Sequence, residues 1–390
     1  GASNYATIRR FYPTWRPGEM SKRILFVHDW KMKNFGLDLV ARQQVQALTE
    51  AGHEVDLLSR GSIDLPGVRC YTHRYTWANL ISWAGRGIYY DARKRAFASL
   101  AASRLRKTDY DAIISWIGGT TPLLGEARKR GIPLFLNVAL LTGLSHGEAY
   151  GSDHESARFW PRISQAERRG EYIGQLTRLL LPSKFLQQQL IEAGVPAEQL
   201  HVIERGYDPS RFFPPSRPAD TFRLLFCGKV FPRKGVMAAL TAWREASLDN
   251  AEFWLLGRIA PDHEKRYREA ATDSVRFMDF DSNPGEVMRQ CHAQILLSFA
   301  EGQAKSLIEG AACGLVTIAT AATGFPFDRG DLGFKVNADD IDGIVTILRQ
   351  LHADHEIRRR LSANSAEIMR EHYRWASFRQ RLVKAIETAL

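Results

Sequence analysis

Short apolar runs alternate with helix-period patterns along this chain, and the series starts again near its middle. Ile24–His28 reads as a buried strand, Val40, Val45 and Leu48 then fall at helical spacing, and Gly52 closes that helix before a second strand at Val55–Leu58. Ala112–Trp116 and Pro133–Val138 add two more strands. The restart comes at Leu179–Ser183, which precedes a helix ending near Gly194. A second series then runs through Arg223–Cys227, Glu252–Leu256, Val275–Phe277, Gln294–Ser298 and Val316–Thr320. Strands separated by helices pair in parallel, because each crossover must return to the same end of the sheet. The expected fold class is therefore α/β, with two parallel-sheet domains facing across a cleft. The proline-rich stretch Pro209 to Pro218 is the linker between them. The expected boundaries are 20–205 and 206–370, with a helix over 371–390 returning to the first domain. Residues 1–19 read as a cloning remnant or an extension.

Several function classes are disfavoured by composition. Hydrophobic residues make up 45% and charged residues 25% of the chain, an ordinary globular balance. No apolar run approaches the roughly 20 residues needed to span a bilayer, and the first residues hold no secretory apolar core. Cys70, Cys227, Cys291 and Cys313 are far apart, which argues against a zinc site or a disulfide framework and for a reducing, cytoplasmic setting. Cys227, Cys291 and Cys313 lie in apolar stretches and read as small core residues. The net charge of +10 is uneven: residues 1–205 hold 28 Lys and Arg against 19 Asp and Glu. An anionic partner is thus expected for the first half alone.

The segment Ser298–Gly314 carries the most chemistry. A strand leads to Glu301, Gly302 makes a turn, and a helix begins near Ala304. Unpaired N–H groups at a helix start carry partial positive charge and suit a phosphate. Glu301 in the loop and Glu309 inside the helix border one ligand, and a carboxylate accepts two hydrogen bonds from a ribose diol. Taken alone, two glutamates eight apart would more often be solvent-facing.

Glu301-x7-Glu309 followed by Ala312-Cys313-Gly314 resembles the EGFG…LEAMACG signature of glycosyltransferase family 4, whose members have two Rossmann-like domains in the GT-B architecture. Leu225–Gly235, with Gly228, Lys229, Lys234 and Gly235, resembles that family's strand–GR–x4–KG segment, with Lys229 where Arg is usual. Val202–Phe212 is similar to its VIPNGVD…RF linker. The order of the three matches strengthens the resemblance, while the first half of the chain resembles the family only weakly.

The resemblance implies a retaining glycosyltransferase that moves a hexose-type sugar from a UDP- or GDP-sugar to a glycan or lipid-linked acceptor, with no metal and no other cofactor. Lys229 and Lys234 would stabilise charge on the departing phosphate. Glu301 would contact the sugar and Glu309 the ribose. His146 is similar to the family's cleft histidine, and Gly36 to a glycine near the diphosphate or sugar. Gly228, Gly302, Gln303, Ala304, Lys305 and Ser306 complete the donor site, and Arg258 with Met278–Phe280 would meet the base. Residues 77–107, where Trp77, Leu80, Ile81, Ala84 and Ile88 recur at helical spacing among Arg86, Arg93, Lys94, Arg95, Arg104, Arg106 and Lys107, would face the acceptor or the inner membrane surface. The alternatives are a GT-B epimerase or phosphorylase, and a basic module for membrane or nucleic acid. No nucleic-acid motif is present, so nucleic acid is not expected.

Overall fold

A computed structural model describes residues 21–34, 36–73, 86–116, 121–139, 177–217, 219–279, 281 and 283–390. Among the described residues the chain runs β1 (Arg23–His28), α1 (Gly36–Glu50), β2 (Glu54–Ser59), β3 (Val68–Thr72), α2 (Arg86–Lys107), β4 (Ala112–Ser115), α3 (Thr121–Arg130), β5 (Leu134–Asn137), β6 (Thr177–Leu181), α4 (Lys184–Glu192) and β7 (Leu200–Val202). It continues through β8 (Phe222–Cys227), α5 (Val236–Ala246), β9 (Ala251–Leu256), α6 (Glu264–Ala270), β10 (Val275–Met278), α7 (Pro284–Met288), β11 (Ala293–Leu296), α8 (Lys305–Ala312), β12 (Val316–Thr320), β13 (Gly333–Val336), α9 (Ile341–Ala353), α10 (His355–His372) and α11 (Trp375–Ala389).

One sheet has the order β3-β2-β1-β4-β5-β6-β7 and the other β10-β9-β8-β11-β12-β13. Every strand pairing with a recorded register is parallel. In both sheets the first strand of the unit lies inside and the order reverses beside it, the doubly wound pattern that places ligands at the carboxyl ends of the strands. The central strands are covered on both faces, which explains their unbroken apolar runs: Ile24, Leu25, Phe26 and Val27 are fully buried. The strands β3, β7 and β13 have no such run, because they border their sheets or are very short, and sequence reading missed all three. By residue contacts, one compact unit contains the chain up to Leu136 with Leu382–Leu390, and the other contains Arg178–Arg381.

A polar residue interrupts the first unit's core. Asp56 in the middle of β2 is fully buried. It accepts hydrogen bonds from Tyr110 Oη at 2.6 Å, Arg69 Nε at 2.7 Å and Arg23 Nη2 at 3.1 Å, with Arg104 at 3.5 Å. Burial pushes its carboxyl up, but the hydrogen bonds from Tyr110 and Arg69 and the arginine charges outweigh it, so the group titrates below the usual carboxylate range.

The stretch after β7 is a fixed connection. Tyr207 N donates to Tyr373 O at 2.8 Å, and Trp375 N to Tyr207 O at 3.2 Å. Gly206 lies so close that a Cβ there would stand 2.7 Å from Trp375 N. Glu204 accepts from Tyr373 Oη and Arg329 Nη2, both at 2.6 Å.

Among the described residues no helix is long and apolar enough to cross a membrane. All four cysteines are free; Cys291 and Cys313 are buried, while Cys70 and Cys227 are half-buried.

Candidate functional site

The second sheet's strands end in glycine turns that pack backbone against backbone. Gly228 follows β8 with φ +146° and Gly257 follows β9 with φ +143°; a Cβ on Gly257 would stand 2.1 Å from Gly228 O. Such φ values favour glycine, so both turns require it. Past Gly228 the chain makes a short 3₁₀ turn over Pro232–Lys234 and is closed by Gly235, at φ +67° and pressed against Leu297 O.

That turn aims two cations at Glu301. Arg233 Nη1 lies 2.9 Å from Glu301 Oε1, Lys234 Nζ pairs with the same oxygen, and Ser298 Oγ stands 3.3 Å from it. Oε2 takes none of these bonds. Burial pushes the Glu301 carboxyl up, yet Lys234 and Arg233 outweigh it, leaving a carboxylate below its ordinary pKa. Lys229 is placed apart: it is exposed, with Nζ 5.4 Å from the Phe231 ring centroid. Arg233, inside the motif but not singled out by sequence reading, takes the second position on Glu301. Its signal was adjacency to Lys234 in a turn closed by Gly235.

The loop after Glu301 is held by backbone bonds, Glu301 N to Ala322 O at 2.9 Å and Ala304 N to Thr323 O at 2.8 Å. Ala304 caps α8, which begins at Lys305 as expected within one residue. The amides of Lys305 and Ser306 have no protein acceptor among the described residues, which leaves the first turn open to an anion. One turn on, buried Glu309 pairs with Lys305 Nζ. Cys227 shares this space: burial pushes its thiol up to about 12, with Glu309 raising it and Lys305 and Lys234 lowering it. Cys227 ends β8, and the Lys305–Glu309 pair lies on the first turns of α8.

The remaining expected residues divide. Gly302 is buried, and its carbonyl accepts from Ser183 Oγ at 2.6 Å. Gln303 turns inward: its Oε1 accepts from Arg205 N at 2.6 Å and its carbonyl from Arg205 Nη1 at 2.9 Å. Ser306 is half-buried on α8. Arg258 is exposed directly after Gly257, and half-buried Met278 accepts from Gly257 N through its carbonyl at 3.0 Å. Phe280, His146 and residues 77–85 lie outside the described residues.

In the first unit Gly36 opens α1, exposed and at φ +61°. Beside it is a buried polar set that sequence reading missed. His28 Nε2 lies 2.7 Å from Asp38 Oδ1, and Asp38 Oδ2 accepts from Lys33 N at 3.0 Å. Arg93, expected on a basic acceptor face, is instead buried, with Nε donating to Asp29 at 2.8 Å. A guanidinium this deep requires a carboxylate partner, and Asp29 at the end of β1 supplies it. Arg104 also turns onto its own unit, 3.5 Å from the Tyr71 ring centroid. Lys94, Arg95, Arg106 and Lys107 remain exposed.

The family model described as Glycosyl transferases group 1 matches residues 221–354, and that described as Glycosyltransferase Family 4 matches residues 36–211. The chain is 29% identical over 164 residues to the lipopolysaccharide core biosynthesis glycosyltransferase LpsD of Rhizobium meliloti, 40% of this chain and 46% of that protein. It is 30% identical over 104 residues to the N-acetyl-alpha-D-glucosaminyl L-malate synthase of Bacillus anthracis, 26% of this chain and 27% of the relative. The matches therefore span less than half the length of these relatives. Similar solved structures include sucrose-phosphate synthase from Thermosynechococcus elongatus, with TM-score 0.72 and 17% identity over 94% of this chain and 98% of that one. HepE from Anabaena, solved with UDP and glucose, has TM-score 0.66 and 15% identity over 94% of this chain and 100% of that one. With the two domain matches in chain order and two parallel Rossmann-like sheets beneath them, the chain belongs to the family 4 and group 1 glycosyltransferases of GT-B architecture.

Proposed function

We propose that the chain transfers a hexose-type sugar, with retention, from a UDP- or GDP-sugar to a glycan or lipid-linked acceptor. The observation that carries this reading is the set of charges at the carboxyl ends of the second sheet: Arg233 and Lys234 on Glu301, beside Lys305 on Glu309 at an open helix start. Cleaving a sugar–diphosphate bond builds negative charge on the leaving oxygen, and half-buried cations stabilise such charge far more than cations in water do. Glu301, whose Oε2 has no hydrogen-bond partner among the described residues, faces the sugar; Glu309 receives the ribose diol; the amides of Lys305 and Ser306 hold phosphate. Relatives support the donor class, since HepE has been solved with UDP and with UDP-glucose. On the acceptor side, exposed Lys94 and Arg95 remain candidates for an acidic acceptor or a membrane surface.

Calorimetry with UDP and GDP tests the donor site, and anomer-resolved NMR of the product tests retention. Glu309→Gln is expected to weaken binding of the preferred nucleoside diphosphate about 10- to 150-fold, the worth of roughly 1.5–3 kcal/mol for a hydrogen bond to a charged group. Unchanged affinity removes Glu309 from the ribose. Conversion of the nucleotide-sugar to its epimer with no net diphosphate release, or formation of a sugar-1-phosphate from a glycan and inorganic phosphate, indicates an epimerase or a phosphorylase instead.

The cations and the helix start supply the positive field in this scheme, and it assigns no role to a divalent ion. Turnover is accordingly expected to stay within about twofold in excess chelator. A loss restored by magnesium or manganese refutes that part of the scheme.

A further inference from the structure

The chain between β7 and β8 is held by two sets of contacts. Glu204 is bound by Tyr373 and Arg329, and Gly206 and Tyr207 are pressed on the backbone of residues 373–375. Arg205, between them, bonds to Gln303 instead. It stands where the linker motif quoted above has Asn.

Arg205 is poorly matched to its surroundings. Among the described residues its guanidinium has one acceptor, the carbonyl of Gln303 at 2.9 Å, and no carboxylate at ion-pair distance. Nearby Arg233 and Lys234 are paired with Glu301, and Lys305 with Glu309. Burial pulls the Arg205 pKa down to about 10, with Glu301 as the opposing charge. A second donor is unmatched alongside it among the described residues: Gln303 is 1% exposed, and its Nε2 is buried without an acceptor. Buried donors and desolvated cations without partners are costly, and a bound anion offsets that cost.

The position of these donors decides which part of the donor they meet. Gln303, which Arg205 holds by two hydrogen bonds, follows Glu301 by two residues in the loop before α8, whereas Lys305 and Glu309 lie on α8 itself. Among the described residues Arg205 bonds to the loop that carries Glu301 and not to Lys305 or Glu309, the groups assigned to phosphate and ribose. We infer that Arg205 and Gln303 form a seat for a carboxylate on the sugar being transferred, so that the donor carries a hexuronic acid rather than a neutral hexose. The inference rests on the reading that Glu301 faces the sugar. A guanidinium fork matches a carboxylate in geometry as well as charge.

The test is calorimetry on the full chain, Arg205→Gln and Arg205→Lys, with UDP, UDP-glucose and UDP-glucuronate, and with GDP, GDP-mannose and GDP-mannuronate. The wild-type protein is expected to bind the uronate of its preferred base at least about 10-fold more tightly than the neutral sugar. Arg205→Gln should erase that preference and leave affinity for the bare diphosphate within about twofold. Arg205→Lys, which keeps the charge without the fork, should fall between, and it decides the matter if the Gln variant does not fold. Equal wild-type affinity for acid and neutral sugar overturns the inference. So does a loss for the bare diphosphate as large as the loss for the uronate, which would place Arg205 on the diphosphate. If the wild-type protein binds no nucleoside diphosphate at all, the donor-site reading itself fails and the inference falls with it.

Discussion

Lys234→Ala is expected to lower turnover by about 10²- to 10³-fold, the range for removing one preorganised group that stabilises transition-state charge. The apparent donor Michaelis constant should rise by a smaller factor, since charge on the leaving oxygen is larger in the transition state than in the bound donor. The geometry supports a fixed cation: Lys234 closes a turn that only Gly235 completes, and its side chain is 13% exposed beside a Glu301 side chain at 14%. Preorganisation of this kind requires no rearrangement when the bond breaks. Lys229→Ala supplies the contrast. Its ammonium is exposed and has no part in the Glu301 pairings, so its removal should change turnover by less than about threefold, in keeping with the small worth of surface charges. Initial rates of diphosphate release over a range of donor concentrations separate the two parameters. A pure binding defect in Lys234→Ala, or equal losses for the two lysines, contradicts the assignment.

Asp56→Ala should destabilise the first unit by about 1–3 kcal/mol, the cost of leaving its hydrogen-bond donors without their acceptor while the arginines themselves still reach solvent. Three arginines and Tyr110 converge on this fully buried carboxylate, and Arg69 also pairs with Glu54. For a domain whose total stability is of order 5–15 kcal/mol the loss is large. It should be visible as a shift of the first transition in urea unfolding, because two units need not unfold together. The pH dependence has a definite sign. The folded-state pKa of Asp56 is depressed, so its contribution is fully present above the unfolded value of about 3.9 and is lost as pH falls through the lower folded value. The variant and the wild-type protein should therefore differ most near neutrality and converge in acid. A difference below about 1 kcal/mol at pH 7 removes Asp56 from the stability of this unit.

These two sites differ in how much of them the sequence made visible. Asp56 sits inside Val55–Leu58, a run that reads as a strand, so its place in the fold was legible and its partners were not. Of those, Arg69 is 13 residues away, Arg104 is 48 and Tyr110 is 54. Around Glu301 the motif pointed to lysines, whereas Arg233 joined Lys234 because the turn closed by Gly235 presents both. Arg93 belonged to a basic run that read as solvated or acceptor-facing, and tertiary packing turned it onto Asp29, 64 residues earlier.

The sequence by itself determined the alternation of strands and helices, the doubled α/β series and the helix start at Ala304. Each of these depends on local causes: apolar period, the left-handed φ that glycine tolerates, and the open amides of a first helical turn. Only the tertiary structure decided which cation meets which carboxylate, that β3, β7 and β13 join their sheets, and that Arg205 turns onto Gln303. Partner choice among charges and pairing at a sheet border depend on groups brought together by the folded chain, and no local pattern encodes that distance.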